Sequence, residues 1–273
     1  MSTAAALPPE AAPARLALAC LDLTSLNDAD DEAAIERLCE RAVGPPGRGA
    51  VAAVCVWPRF AARARARLPA GIGVAAVANF PHGGTGLAAA VAEAEAIATA
   101  GGGEVDLVLP WRALAAGEIG AARDLLAAVR RAVPRLVLKV ILESGELGSE
   151  PLIAEAARLA LGEGADFLKT STGKARVHPT PEAARTMLAV IAADAAARGR
   201  VGFKAAGGVR EVADAALYAG LVRDALGEEA LAPARFRIGA SGLLDAIEAA
   251  LGGTVAAASS GAPGRGGPPP AVY

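Results

Sequence analysis

The sequence predicts an α/β chain closed into a single (β/α)8 barrel of the TIM type. Three observations carry this. Short apolar or β-branched runs alternate strictly with alanine-rich helical patterns, which implies parallel strands joined by helical crossovers. The chain has 273 residues, close to the roughly 250 that such a barrel needs. The alternation also stops once the eighth unit is reached. A doubly wound open sheet is the competing architecture, and the count favours closure.

Taken in order, the predicted strands cover residues 16–22, 51–56, 72–79, 105–109, 136–143, 166–169, 201–204 and 236–240. The predicted helices cover 31–43, 59–67, 85–100, 113–133, 150–161, 181–197, 211–225 and 243–251. Residues 1–14 are rich in Ala and Pro, and 253–270 in Gly, Ala, Ser and Pro. Both ends therefore read as flexible tails, the second running to Tyr273. Residues 15–252 remain as one barrel domain.

Composition removes several function classes. A net charge of -2 leaves no basic footprint for nucleic acid. The N-terminus has no basic region ahead of an apolar run, so no signal peptide is expected. The long uncharged stretch 68–92 is broken by Asn79, Pro81, His82 and several glycines, and fails as a membrane span. Three cysteines without a Cys-x-x-Cys pair, and two histidines, argue against a structural zinc site and for a reducing cytoplasm. No Gly-x-Ser-x-Gly elbow is present.

The lysines carry the strongest signal. Of 27 Lys and Arg residues only four are lysines: Lys139, Lys169, Lys174 and Lys204. All four lie in or just after predicted strands. A chain that uses arginine everywhere else keeps lysine where a primary amine is wanted, because only lysine can shed its proton and act as a nucleophile. Lys169 and Lys204 end neighbouring strands at the C-terminal rim, where barrel active sites lie. Neighbouring strands are about 4.8 Å apart, so the two amines can approach to roughly 5 Å. Two ammonium groups that close repel, and the repulsion favours a neutral amine able to attack a carbonyl.

Asp106, on the fourth strand, alternates into the barrel, where a carboxylate needs a cationic partner. Asp22, at the end of the first strand, is a weaker case of the same kind. Lys139 lies mid-strand and reads as an interior charge partner. Three small-residue loops follow strands six to eight: Ser171–Lys174, Ala206–Arg210 and Gly239–Gly242. Their glycines and a following helix N-terminus suit a phosphate, as in the recurrent barrel phosphate site. Lys174 can add charge there. Cys55 reads as a small buried residue, His82 as a loop residue, and Arg63, Arg65 and Arg67 as a solvated helix face.

These residues sit in stretches that closely resemble the deoxyribose-phosphate aldolase family: LDLTSLND (21–28), VCVWPRF (54–60), NFPHG (79–83), EVDLVLPWRAL (104–114), LKVILESGEL (138–147), GADFLKTSTGK (164–174), VGFKAAGGVR (201–210) and FRIGASGLL (236–244). They span nearly the whole barrel in order. The resemblance implies reversible cleavage of 2-deoxy-D-ribose 5-phosphate to glyceraldehyde 3-phosphate and acetaldehyde, with no metal or organic cofactor. It implies a Schiff base on Lys169, perturbed by Lys204, with Asp106 and Lys204 moving protons. Thr172, Gly173, Gly207, Gly208, Gly239 and Ser241 would line the substrate and phosphate pocket, with Asp22, Thr24, Cys55 and Lys139 as secondary positions.

Two departures stand out. Ala205 replaces a proline common in the family after the seventh-strand lysine. Gly242 replaces a second serine of some members, which removes one phosphate donor. Some members also end in a tyrosine implicated in proton transfer, as Tyr273 would be here. Cytoplasmic nucleoside catabolism and a homodimer follow from family habit. Another Schiff-base lyase acting on a different phosphosugar, or a phosphosugar-binding barrel without turnover, are the alternatives.

Overall fold

The computed structural model describes residues 11–252. Its strands form a closed, all-parallel barrel in sequence order, with β8 pairing back onto β1. They are β1 (Leu21–Thr24), β2 (Ala53–Val56), β3 (Gly73–Ala78), β4 (Glu104–Val108), β5 (Val137–Ile141), β6 (Phe167–Lys169), β7 (Gly202–Ala206) and β8 (Phe236–Ala240). The helices are α1 (Ala11–Ala19), α2 (Glu32–Val43), α3 (Ala61–Arg67), α4 (Leu87–Thr99), α5 (Trp111–Ala115), α6 (Ile119–Ala132), α7 (Ser144–Leu147), α8 (Glu150–Gly162), α9 (Pro181–Ala193), α10 (Val212–Leu226) and α11 (Leu243–Ala250).

Outward-facing strand residues such as Val54, Val56, Val74, Ala76, Leu107, Val140 and Leu168 are buried beneath the helices and form the main core. That leaves the inward face free for polar chemistry. The strand alternation of period two makes this division possible, since each strand feeds both layers. Among the described residues no helix is long and apolar enough to cross a membrane.

Four expectations are corrected. The run over 16–22 is not one strand: α1 occupies Ala11–Ala19 and β1 begins at Leu21. Alanine-rich apolar sequence has strong helix propensity, and a short apolar run without clear periodicity does not separate helix from strand. The same helix takes residues 11–14 out of the expected N-terminal tail and packs them on α10 and α11. The single helix over 113–133 is two, α5 and α6, parted at Gly117, whose φ of 85° breaks helical geometry. The fifth strand stops at Ile141, because Glu143 adopts a left-handed backbone and opens α7. The expected C-terminal tail and Tyr273 lie outside the described residues.

Candidate active site

Register sets the height of each functional side chain. Asp106 pairs across with Lys139, and Lys169 pairs with Lys204. In parallel strands such pairs point to the same face, so all four side chains enter the barrel. They converge on one carboxylate. Lys139 donates to Asp106 Oδ1 at 2.8 Å, while Lys169 and Lys204 both donate to Asp106 Oδ2 at 2.7 Å. The two amines sharing Oδ2 are therefore no further apart than twice that distance, as their strand register predicts.

Below this point lies a larger structure that sequence reasoning missed. Lys204 also donates to Asp22, Asp22 accepts from Arg237 at 2.6 Å, and Arg237 donates to Glu104 at 2.9 Å. Glu104 is paired in turn with Lys139. The result is a closed ring of alternating sign: Asp106, Lys204, Asp22, Arg237, Glu104, Lys139 and back to Asp106. Lys139 crosses it with a further contact to Asp22 at 3.4 Å. Lys169 stands outside the ring, ion-paired with Asp106 and nearest the mouth, with 3% of its surface exposed against 0% for Lys139 and Lys204.

The ring decides the ionisation of its members. Burial works against the charged forms of Asp22, Asp106, Lys139, Lys204 and Arg237, and the opposing charges overcome it. Burial raises the Asp106 carboxyl, but Lys139, Lys169 and Lys204 together hold it well below the usual carboxylate range. Asp22 is likewise held low against burial, by Lys204, Arg237 and Lys139. Lys139 is driven up, chiefly by Asp106 and Glu104 against burial, and Lys204 is raised by Asp106 and Asp22 against the same penalty. Cys55, whose Sγ lies 3.8 Å from Asp106 Oδ2, is pushed up to about 11 by burial and then by that carboxylate.

Strand alternation puts Glu104 on the same inward face as Asp106, at the entrance of β4. Its partner Arg237 carried one available signal: it alternates with Gly239 on β8 and so faces inward. In a chain with so many surface arginines that signal was easy to pass over.

The rim residues form a second group. Thr172, Gly173 and Lys174 follow β6, and Gly207 and Gly208, with φ of 92° and 83°, follow β7. A side chain at Gly207 would meet Ser171 Oγ at 2.4 Å, so the two loops interlock. Thr170 and Ser171 both donate to the Ala206 carbonyl, at 2.7 and 2.8 Å. Burial lowers the Lys174 amine below the ordinary lysine range, against the pull of Asp28 and Asp30. Ser241 and Gly242 precede α11. Gly239 is not part of a loop: it lies in β8, where a Cβ would sit 3.0 Å from Lys204 Cε. Thr24 Oγ1 donates to the Asp22 carbonyl at 2.8 Å.

A lysine amine at the open end of a barrel, joined to a buried carboxylate and faced by glycine loops, has the parts that a lyase acting through a carbonyl–amine adduct requires. The chain belongs to the DeoC/LacD aldolase family, whose model matches residues 16–248. It is 45% identical over 252 residues to a deoxyribose-phosphate aldolase of Agrobacterium fabrum (strain C58 / ATCC 33970), covering 91% of this chain and 95% of that protein. Among solved structures it resembles the apo form of a putative deoxyribose-phosphate aldolase from Toxoplasma gondii ME49, with a TM-score of 0.80, 26% identity, and coverage of 89% and 97% of the two chains. A putative deoxyribose-phosphate aldolase from Coccidioides immitis gives a TM-score of 0.74 at 28% identity, covering 89% of this chain and 87% of that one.

Proposed function

We propose that the chain is a class I aldolase that reversibly cleaves 2-deoxy-D-ribose 5-phosphate. The observation that carries this is Lys169, an amine held at the barrel mouth by Asp106 from outside a ring of alternating charge. The ring holds three acids and three bases. Lys169 reaches Asp106 Oδ2 from outside that ring, on the side of the barrel mouth, where a carbonyl can meet its amine.

The steps follow from that placement. Lys169 Nζ adds to C1 of the open-chain aldehyde, and water leaves to give an iminium. The C3 hydroxyl gives up its proton, the C2–C3 bond breaks, and its electron pair moves into an enamine. Glyceraldehyde 3-phosphate departs with C3 as its aldehyde. Protonation of the enamine carbon and hydrolysis release acetaldehyde and restore the amine. Asp106 and Lys204, directly hydrogen-bonded, carry the proton between these positions.

Thr172, Gly173, Lys174, Gly207, Gly208, Ser241 and Gly242 receive the phosphate end, and Thr24 and Cys55 border the opposite wall. Tyr273 serves as a transient proton relay in the same proposal. A cytoplasmic location, a part in deoxyribonucleoside breakdown and assembly as a homodimer go with this reading. The test is acetaldehyde release from 2-deoxyribose 5-phosphate, paired with borohydride trapping of acetaldehyde and peptide mass spectrometry. An ethyl group on Lys169 is expected. No release, or an adduct confined to another lysine, rejects the assignment.

A further inference from the structure

Glu143 combines features that rarely occur together. It lies at the barrel mouth just past β5, its backbone is left-handed at φ 55° and ψ 52°, and it is 1% exposed. A left-handed conformation costs a non-glycine residue free energy, and a buried carboxylate costs more, so both persist only where surrounding contacts hold them. The contacts are specific. Thr172 Oγ1 donates to Glu143 Oε2 at 2.6 Å, and the Thr172 N–H reaches the two carboxylate oxygens at 3.2 and 3.3 Å. Thr172 Oγ1 in turn accepts from the Lys174 N–H at 3.0 Å.

The neighbours of Glu143 grip the same segment. Leu142 N–H donates to the Lys169 carbonyl at 3.0 Å, and Ser144 N–H to the Thr170 carbonyl at 2.9 Å. Glu146 accepts from the Val177 N–H at 3.2 Å. A side chain at Gly145 would strike the Val177 carbonyl at 2.2 Å, so this turn lies flat on the β6 loop. The loop is thus held from β7 through Thr170 and Ser171, and from β5 through Glu143. Among the side-chain hydrogen bonds to Thr172, only those of Glu143 fix its hydroxyl and amide together.

We propose that Glu143 is a positioning residue that presents the β6 loop, through Thr172 and the Lys174 amide, to the phosphate monoester end of the substrate. It touches no reacting atom. The left-handed backbone is what turns the carboxylate sideways, out of β5 and onto the loop after β6. This rests on the activity proposed above.

Two variants separate side chain from backbone. Glu143→Gln keeps the size but gives up the charge. Glu143→Gly accepts the left-handed backbone without strain and removes the carboxylate. Because hydrogen bonds to a charged group are lost, both should raise KM for 2-deoxyribose 5-phosphate, and the inhibition constant of inorganic phosphate, about tenfold or more. Borohydride trapping of acetaldehyde on Lys169 uses no phosphate and should fall by a smaller factor than the two phosphate-dependent constants rise.

If Glu143→Gly binds phosphosugar and phosphate like the wild type, the residue serves only its turn and the proposal is overturned. The same follows if Glu143→Gln folds and keeps both constants. Should Glu143→Gln fail to fold, Glu143→Gly decides alone. If the wild type releases no acetaldehyde, the activity proposal falls, yet the rise in Tm with inorganic phosphate still tests the clamp. That rise should be present in the wild type and lost in Glu143→Gly. Its absence from the wild type, or its survival in the variant, overturns the clamp.

Discussion

The two walls of the barrel interior are furnished in opposite ways. From β4 through β8 and round to β1 come the long charged side chains: Glu104, Asp106, Lys139, Lys169, Lys204, Arg237 and Asp22. From β2 and β3 come Cys55, Ala75 and Val77, small and apolar, joined at the mouth by Leu26. An eight-stranded barrel has a fixed cross-section just wide enough to be filled by side chains. Lysines that reach across from one wall need short residues on the other. The small wall is therefore as much a part of the site as the charged one: it supplies the volume in which the ring can close.

The heaviest blow to the charged wall is Asp106→Asn. Asparagine keeps the shape but leaves three amines without the carboxylate they share. Turnover should fall about a thousandfold, within the range for a lost proton-transfer group. Stability should fall by about 3–5 kcal/mol, the cost of breaking a buried ion pair from one side. Deuterium exchange at the acetaldehyde methyl and urea melts measure the two. Wild-type exchange in the variant removes Asp106 from the relay.

Acid should act on the charged wall next. Asp22 and Asp106 are held below the ordinary carboxyl range by the cations around them, against burial. The stabilisation they contribute is present above the unfolded carboxyl pKa of about 4 and lost as pH falls through their lower folded values. Lys139 and Lys204 are raised, so their share is present below about pH 10.4 and lost as pH rises through the folded values. Urea midpoints should be level between about pH 5 and 10 and fall outside that window. A midpoint at pH 3 equal to that at pH 7 would remove the ring as a source of stability.

A smaller effect is expected where the space is tightest. At Gly239→Ala the new Cβ would lie 3.0 Å from Lys204 Cε and 3.2 Å from Ala206 Cβ. Lys204 is pinned by two carboxylates and yields little. A loss of about 1–3 kcal/mol, typical of overpacking, should accompany a fall in turnover larger than any rise in KM. Unchanged turnover would mean that Lys204 has slack.

The small wall should be most forgiving at its thiol. Cys55→Ala removes one buried atom group and should cost about 1 kcal/mol, as for a deleted methyl. Since burial and Asp106 push the Cys55 thiol up to about 11, iodoacetamide at pH 8 should label it slowly in the native protein. Rapid native labelling would show that the small wall is open to reagent.

How much of this was legible in the sequence depended on what each residue's signal had to compete with. Four lysines against many arginines stood out, and strand alternation alone brought Asp106 inward. Lys169 and Lys204 do lie level, but not because both end their strands as expected: β7 runs on past Lys204 to Ala206, and the parallel register sets the height. Arg237 obeyed the same alternation but was hidden by the abundance of its own kind. Glu143 gave no signal at all, because a left-handed glutamate is held by contacts with residues some thirty positions away, not by local propensity. The first strand was misplaced for a related reason: its apolar run fits a helix and a strand equally until α10 and α11 choose between them.

The scarcity of lysine has a practical side. Lys139 and Lys204 have no exposed surface and Lys169 has 3%, which leaves Lys174, part-exposed on the β6 loop, as the accessible side-chain amine among the described residues. Apart from the chain's α-amine, an amine-reactive resin, dye or crosslinker acting on a described side chain would take hold beside the very opening through which the proposed substrate passes. Coupling through the plentiful surface carboxylates instead, for example Glu40 or Glu228 on the helical exterior, would tether the barrel by its flank and leave its mouth turned to solution.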